Sequence, residues 1–162
     1  MIRLVIAAAL FLAAIGPLRA ETLTLDYQAV MHVRASNATP ILDNPDHLVG
    51  IAEFRGLAIF ADGEIAVHRY DGWFDLVKGS GKFHGYALWT FEDGSELRAP
   101  YSGTAEATKD GGVAVRAAFE DFSGSGRFTE ATGTGEFSGR RIDAIDKGGS
   151  AYLQGMLRIT LP

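Results

Sequence analysis

Glycine-containing turn signals recur at regular intervals along this chain. Gly, Asn and Asp tolerate positive φ, so these pairs and triplets are typical of the tight turns that join antiparallel strands. Between them lie β-favouring runs of about 10 to 15 residues, and helical periodicity is absent after residue 20. The chain is therefore predicted to be all-β. The turn signals are Asp62-Gly63, Gly79-Ser80-Gly81, Asp93-Gly94, Asp110-Gly111-Gly112, Gly124-Ser125-Gly126 and Lys147-Gly148-Gly149.

The runs between these turns predict eight strands, with one long connecting loop over residues 35–47. Eight consecutive antiparallel strands usually close on themselves, because closure removes exposed edges. A barrel of this size is just wide enough to be filled by side chains or to hold one small ligand. The sequence therefore predicts an eight-stranded antiparallel up-and-down barrel with a central cavity. The predicted strands cover residues 22–34, 48–61, 64–78, 82–92, 95–108, 113–122, 130–142 and 150–161.

Alternation of apolar and polar residues assigns an inward face to most of these strands. The strand predicted over 64–78 is ambiguous, because Ile65 and Val67 share parity with Arg69 and Asp71. Asp71 is followed by glycine, which suggests a bulge that would change the parity. Two orientations of this strand remain open.

The first twenty residues have the three-part pattern of a secretory signal peptide. Arg3 precedes an apolar run over residues 4–15, Gly16-Pro17 follows, and the segment ends in Ala20. The run is shorter than the roughly 20 apolar residues that a membrane-spanning helix needs. Cleavage after Ala20 is predicted, and an uncleaved anchor is the alternative because the nearby Leu18 is bulky.

This pattern divides the chain into a signal peptide over residues 1–20 and a single barrel domain over residues 21–162. It predicts a periplasmic or secreted protein with no stable membrane insertion after cleavage. An exported chain of this length needs no disulfides, because its core suffices to stabilise it.

Charge and cysteine content exclude several classes of function. The chain has 15 Lys and Arg residues, 20 Asp and Glu residues and no cysteine. Without Arg3 and Arg19, 13 basic residues face 20 acidic ones, a net charge of −7. Nucleic acid is therefore not an expected partner. Absence of cysteine excludes disulfides, thiolate metal sites and a cysteine nucleophile.

The glycine-rich segment "DFSGSGRFTEATGTGEFSG", residues 121–139, could in principle cradle a phosphate. It lacks the Gly-Lys-Ser/Thr ending of a P-loop, and a dinucleotide fingerprint requires a following helix, whereas another strand is predicted here. Gly133, Gly135 and Gly139 share the parity of Phe137. Inward glycines let a strand coil sharply inside a narrow barrel. No cofactor is predicted.

One motif in this segment carries a family resemblance. The run Phe122-x-Gly124-x-Gly126-x-Phe128-x-x-Ala131-Thr132-Gly133-x-Gly135 resembles the "GtGrFagAtGtG" signature of the allene oxide cyclase-like and dirigent-like barrels and their small bacterial relatives. The preceding "GSGKFHGYALWTFEDGS" is similar to a hairpin of the same family, so that the resemblance covers about residues 79–140. Glu130 departs from the pattern, where a glycine is common. The resemblance implies an eight-stranded calycin-like barrel with a central cavity, and transfers no catalytic residue.

Inward aromatic residues with a few polar groups are the usual make-up of a small-molecule site. Arg69 and Asp71 belong to this set if residues 64–78 keep the parity that turns them inward, and Arg141 lies near a strand end. The alternative is a filled core in which Arg69 and Asp71 form a pair at the rim. The candidate ligand-binding residues are Tyr27, Phe54, Arg69, Asp71, Phe83, Trp89, Tyr101, Phe119 and Phe137.

The four histidines are His32, His47, His68 and His84. Their spacing does not place two of them on one site, so no metal centre is predicted. His68 could act as a general base, although an exposed strand histidine is the expectation. No nucleophile elbow is present, and no catalytic residue is assigned.

Three functions follow from these features. The preferred one is an exported barrel that binds a small, mostly apolar molecule in its lumen. The first alternative is a cyclase- or isomerase-type enzyme whose lumen holds a reactive substrate in one conformation. The second is a filled-core barrel that acts through its surface as an envelope protein-interaction module. Barrels of the resembled family are often oligomeric, and a homo-oligomer is compatible with this sequence.

Overall fold

The computed structural model describes residues 20–162, so the predicted signal peptide lies outside the described residues except for Ala20. The described chain forms nine strands and two single-turn 3-10 segments, Gly126–Phe128 and Ile145–Lys147. The strands are β1 (Glu21–Ile41), β2 (Asn44–Phe60), β3 (Ile65–Val77), β4 (Ser80–Phe91), β5 (Glu96–Ala107), β6 (Val113–Phe119), β7 (Ser123–Ser125), β8 (Thr132–Arg141) and β9 (Ala151–Leu161).

Eight of these strands close into an antiparallel barrel. Each long strand pairs with its neighbours in the chain, β6 pairs with β8, and β9 returns to β1. The three-residue β7 pairs with the first residues of β5 and takes no part in closure. The predicted eight-stranded up-and-down barrel is confirmed. We call the end with the β1–β2, β3–β4, β5–β6 and β8–β9 connections the upper end, and the opposite end the lower end.

The predicted loop over residues 35–47 is wrong. β1 continues to Ile41, and Leu42 and Asp43, with φ of 51° and 57°, form a two-residue turn into β2. Beyond Met31, β1 pairs with β2 alone, and the register shifts between Val33 and Ala35. An edge strand tolerates Pro and polar residues, since one side of its backbone faces solvent. Loop-like composition therefore coexists with strand structure here.

The parity of β3 is the reverse of the one that would place Arg69 and Asp71 in the lumen. His68 and Tyr70 face inward, with 0% and 4% of their surfaces exposed. The register of β3 with β2 and β4 runs without a shift, so there is no bulge at Asp71. Arg69 Nη2 instead donates to Asp71 Oδ2 at 2.7 Å on the outer face. The predicted exposure of His68 is also wrong.

The segment between β6 and β8 closes the lower end of the barrel. β6 ends at Phe119 rather than at the predicted residue 122, and the 3-10 segment after β7 turns Phe128 into the core. Phe122 is buried in the same core cluster. The first part of the glycine-rich segment, residues 121–131, covers the lower end of the barrel, and we call it the plug. The rest of the segment belongs to β8.

Gly126 makes the plug possible. Its φ is +64°, and a Cβ at this position would collide with the side chain of Ser95. The buried Ser95 hydroxyl donates to Asp93 Oδ2 at 3.0 Å and accepts from the Arg127 backbone N–H at 3.1 Å. A glycine is needed here because the backbone approaches a hydrogen-bonded side chain closely.

Candidate ligand-binding site

The upper half of the lumen contains an apolar cavity of about 110 Å³ that is partly open to solvent. Its wall comes from all eight barrel strands and from Ile145, in the connection between β8 and β9. An engineered apolar protein cavity of about 150 Å³ binds benzene. This cavity is therefore of a size that suits a single small ring or a short branched chain.

Four of the candidate residues named from the sequence line this cavity. They are Phe54, Phe83, Tyr101 and Phe137. Their rings are close to one another: the centroids of Tyr101 and Phe137 are 5.9 Å apart, and those of Phe83 and Phe137 are 6.4 Å apart. The structure thus brings together an aromatic wall drawn from β2, β4, β5 and β8.

The other candidates lie elsewhere. Trp89 and Phe119 are packed in the core outside the cavity lining, with ring centroids 5.2 Å apart. Tyr27 is buried beside Trp89, with centroids 5.9 Å apart. Arg69 and Asp71 lie on the outer face, as described above. The lumen is therefore filled in its lower half, whereas its upper half is open.

The Tyr101 side chain covers two inward-facing glycines in the barrel wall. Tyr101 pairs with Gly85 across β4 and β5, and Gly85 pairs with Gly72 across β3 and β4. A Cβ on Gly72 would collide with the Tyr101 hydroxyl. Burial, and secondarily the negative charge of Asp71, raises the pKa of Tyr101, so its hydroxyl stays protonated in the neutral range.

Arg141 is the charged residue of the cavity wall. It lies four residues after Phe137 on the same inward face of β8, next to Val113 and Ala151 on the neighbouring strands. Its Nε is buried and has no hydrogen-bond partner among the described residues. Burial lowers the pKa of the guanidinium, although arginine remains charged in proteins.

A polar aromatic cluster fills the lumen beside the cavity. The Tyr27 and Tyr70 hydroxyls are 3.3 Å apart, and the imidazole of His68 lies between Tyr70 and Trp89 with centroids at 4.4 and 4.5 Å. His68 Nδ1 donates to the Leu88 carbonyl at 3.0 Å, so Nε2 carries the lone pair. Burial lowers the pKa of His68 to about 3, and the ring is neutral.

Two wall residues that matter were not selected from the sequence. Tyr70 was missed because the parity of its strand was ambiguous. Met31 shares parity with Tyr27, so extending the inward pattern along β1 would have found it. Arg141 was noted only for its position near a strand end. Its parity with Phe137 is the signal that places it in the lumen.

The described part of the chain contains neither a cluster of metal ligands nor a membrane-spanning helix. No group of three or more His, Asp or Glu side chains in residues 20–162 could hold a metal ion. Within the same range no helix is long and apolar enough to cross a membrane. Ligand chemistry at this site thus depends on the aromatic wall, the tyrosine hydroxyls and Arg141.

Comparison with known proteins identifies the fold. No protein-family model matches this chain, and no curated protein matches its sequence. The solved structure of the pterocarpan synthase dirigent protein GePTS1 superposes with a TM-score of 0.53, covering 95% of this chain and 96% of that chain at 13% identity. This chain has a dirigent-type barrel fold. At this identity the similarity concerns the fold alone, and it agrees with the barrel that the glycine motif implies.

Proposed function

We propose that this protein binds a small, mostly apolar molecule in the upper half of its barrel. The observation that carries the proposal is the aromatic cavity of about 110 Å³ formed by Phe54, Phe83, Tyr101 and Phe137 with their neighbours. A barrel that served only as a surface scaffold would gain stability by filling this space, because unfilled apolar cavities are destabilising.

The protonation states of the side chains that line the cavity favour binding over catalysis. Among the described lining residues there is no Asp, Glu or His. Burial raises the pKa of Tyr70 and of Tyr101, so both hydroxyls stay protonated in the neutral range. A general acid or base works best when its pKa lies near the working pH. The wall is therefore better suited to holding a ligand than to transferring protons.

The proposal is tested with toluene, a neutral molecule with one ring, by ligand-detected NMR and by the shift in melting temperature. We expect toluene to bind and stabilise the protein. Ala151→Leu adds apolar atoms to the cavity wall and should abolish binding, whereas Gln154→Leu adds the same side chain on the outer face of β9 and should not. Absence of toluene binding to the wild type, or undiminished binding to Ala151→Leu, would refute the proposal.

We also propose that the chain is exported and cleaved after Ala20. The support is the sequence pattern of residues 1–20, in which a basic residue, an apolar run and a small residue follow one another. Mass spectrometry of the protein from its native cells should find Glu21 as the first residue. A protein that retains Met1 in the envelope fraction would contradict cleavage.

A further inference from the structure

The wall of the apolar cavity contains an arginine, Arg141, that has no ion-pair partner within residues 20–162. Arg140 and Arg141 are neighbours on β8 but face opposite sides of it. Arg140 points outward and forms an ion pair with Asp110. Arg141 points inward, and no carboxylate lies within ion-pair distance of it among the described residues.

The part of the chain that the structure describes places no counter-charge in the cavity lining. The described lining contains no acidic side chain, and residues 1–19 contain neither Asp nor Glu. A charge that is partly removed from water and left unpaired is costly. An anion bound beside Arg141 would compensate for this loss of hydration, and the lowered pKa of the guanidinium has the same cause.

The shape of the Arg141 guanidinium and the size of the cavity restrict which anions can bind there. The planar fork of arginine matches a carboxylate through two parallel hydrogen bonds. Arg141 and Ile145 lie on the upper side of the cavity, whereas the rings of Phe83, Tyr101 and Phe137 form its aromatic wall. A ligand can therefore place an apolar body against the rings and an acidic group beside Arg141.

We propose that the ligand class of this cavity is a small monocarboxylic acid with a single ring or a short branched chain, its carboxylate bound by Arg141. The proposal rests on the lumenal binding proposed above and names the chemical group that the site selects. Arg141 would be the residue that determines specificity for the acid over a neutral molecule of the same shape.

The test compares benzoate with benzamide, which has the same number of non-hydrogen atoms and no charge, by isothermal titration calorimetry at neutral pH. Wild-type protein should bind benzoate at least about tenfold more tightly than benzamide, because charge-assisted hydrogen bonds are roughly twice as strong as neutral ones. Arg141→Met should remove this preference, because it should weaken benzoate binding far more than benzamide binding. Arg140→Met, the matched control on the outer face, should preserve it.

A second measurement needs only the wild type. With each ligand at saturation, the ¹⁵Nε–Hε signal of Arg141 should shift further with benzoate than with benzamide, so the proposal remains testable if Arg141→Met fails to fold. Equal affinities for benzoate and benzamide, or a preference that survives in Arg141→Met, would overturn it. Displacement of benzoate by an equal concentration of inorganic phosphate would also overturn it, since the apolar body would then contribute nothing.

The failures of the two proposals differ. If toluene binds but benzoate shows no advantage over benzamide, the acid specificity is wrong and lumenal binding stands. If toluene does not bind, lumenal binding is wrong, and the acid specificity that rests on it is wrong with it.

Discussion

The imidazole of His68 stacks on the indole of Trp89, with ring centroids 4.5 Å apart and planes inclined by 15°. Both rings are fully buried, and His68 Nε2 and Trp89 Nε1 have no hydrogen-bond partner among the described residues. A neutral imidazole is suited to this environment, and an imidazolium ion is not. The stacked pair therefore makes the stability of the barrel depend on pH.

The first prediction concerns acid stability. Burial lowers the pKa of His68 from its ordinary value of 6.5 to about 3, so that between these pH values the unfolded chain binds a proton that the folded chain does not. The stability that the neutral ring contributes is complete above about pH 6.5 and is lost as the pH falls towards 3, by about 5 kcal/mol in total. Urea unfolding of the wild type between pH 7 and pH 4 measures this loss.

The control for this prediction uses two histidine substitutions. His68→Phe should flatten the pH dependence, because the group that binds the extra proton in the unfolded state is removed. His84→Phe, at an exposed position on the outer face, should keep the wild-type slope. Identical slopes for wild type and His68→Phe would show that the buried imidazole does not govern acid stability.

The second prediction concerns the glycine that closes the lower end. Gly126 and Gly94 both have positive φ, but a Cβ on Gly94 would meet no atom within 4 Å. Gly94→Ala should lower the free energy of unfolding by about 1 kcal/mol, because alanine is strained at positive φ. Gly126→Ala should cost at least about 1 kcal/mol more, because it also disturbs the hydrogen-bonded Ser95. If urea unfolding shows that the two variants lose equal free energy of unfolding, Gly126 has no steric role.

The third prediction concerns coupling between Gly72 and Tyr101. Gly72→Ala should be destabilising, since its Cβ would collide with the Tyr101 hydroxyl. In the Tyr101→Phe background this cost should be smaller, with a coupling energy of roughly 0.5–3 kcal/mol. Tyr86→Phe, which removes an exposed hydroxyl on β4, should be additive with Gly72→Ala. Additivity in both pairs would argue against the predicted contact.

The fourth prediction concerns Arg127 on the plug. Its guanidinium lies 2.5 Å from Glu64 and 3.4 Å from Asp93, and 4.5 Å from the centroid of the Phe91 ring. Arg127→Met should lower the free energy of unfolding by about 1 kcal/mol and weaken its dependence on salt. The more exposed Arg98, paired with Glu96, provides the control. Arg98→Met should cost less, and the reverse order would refute the role of Arg127.

Most of the inward face could be predicted from alternation. Trp89, Leu97, Ala99 and Leu157 are all buried, as their parity predicts. The pattern succeeds on these strands because one face of each is apolar and the other polar. The same parity rule places Arg141 inside, but an arginine near a strand end gives no local sign that its side chain faces the lumen.

β3 could not be oriented in this way because both of its faces carry apolar residues. Ile65 and Val67 remain exposed on the outside at 40% and 38%, whereas Ala66, His68 and Tyr70 fill the lumen. The lumen beside β3 accommodates the large rings of His68 and Tyr70, so the packing of these rings decides which face of β3 points inward. The charged pair of Arg69 and Asp71 then follows to the outer face.

The sequence by itself determined the number of long strands, their antiparallel order and the closed barrel. These depend on local properties: turn residues that tolerate positive φ and runs that alternate along a strand. The tertiary structure decided which side chains share the lumen and that residues 121–131 close its lower end. It also decided that Arg141 reaches the cavity, where it has no ion-pair partner among the described residues. Those outcomes depend on contacts between strands far apart in the chain, because closure of the barrel brings β2, β5 and β8 around the same space.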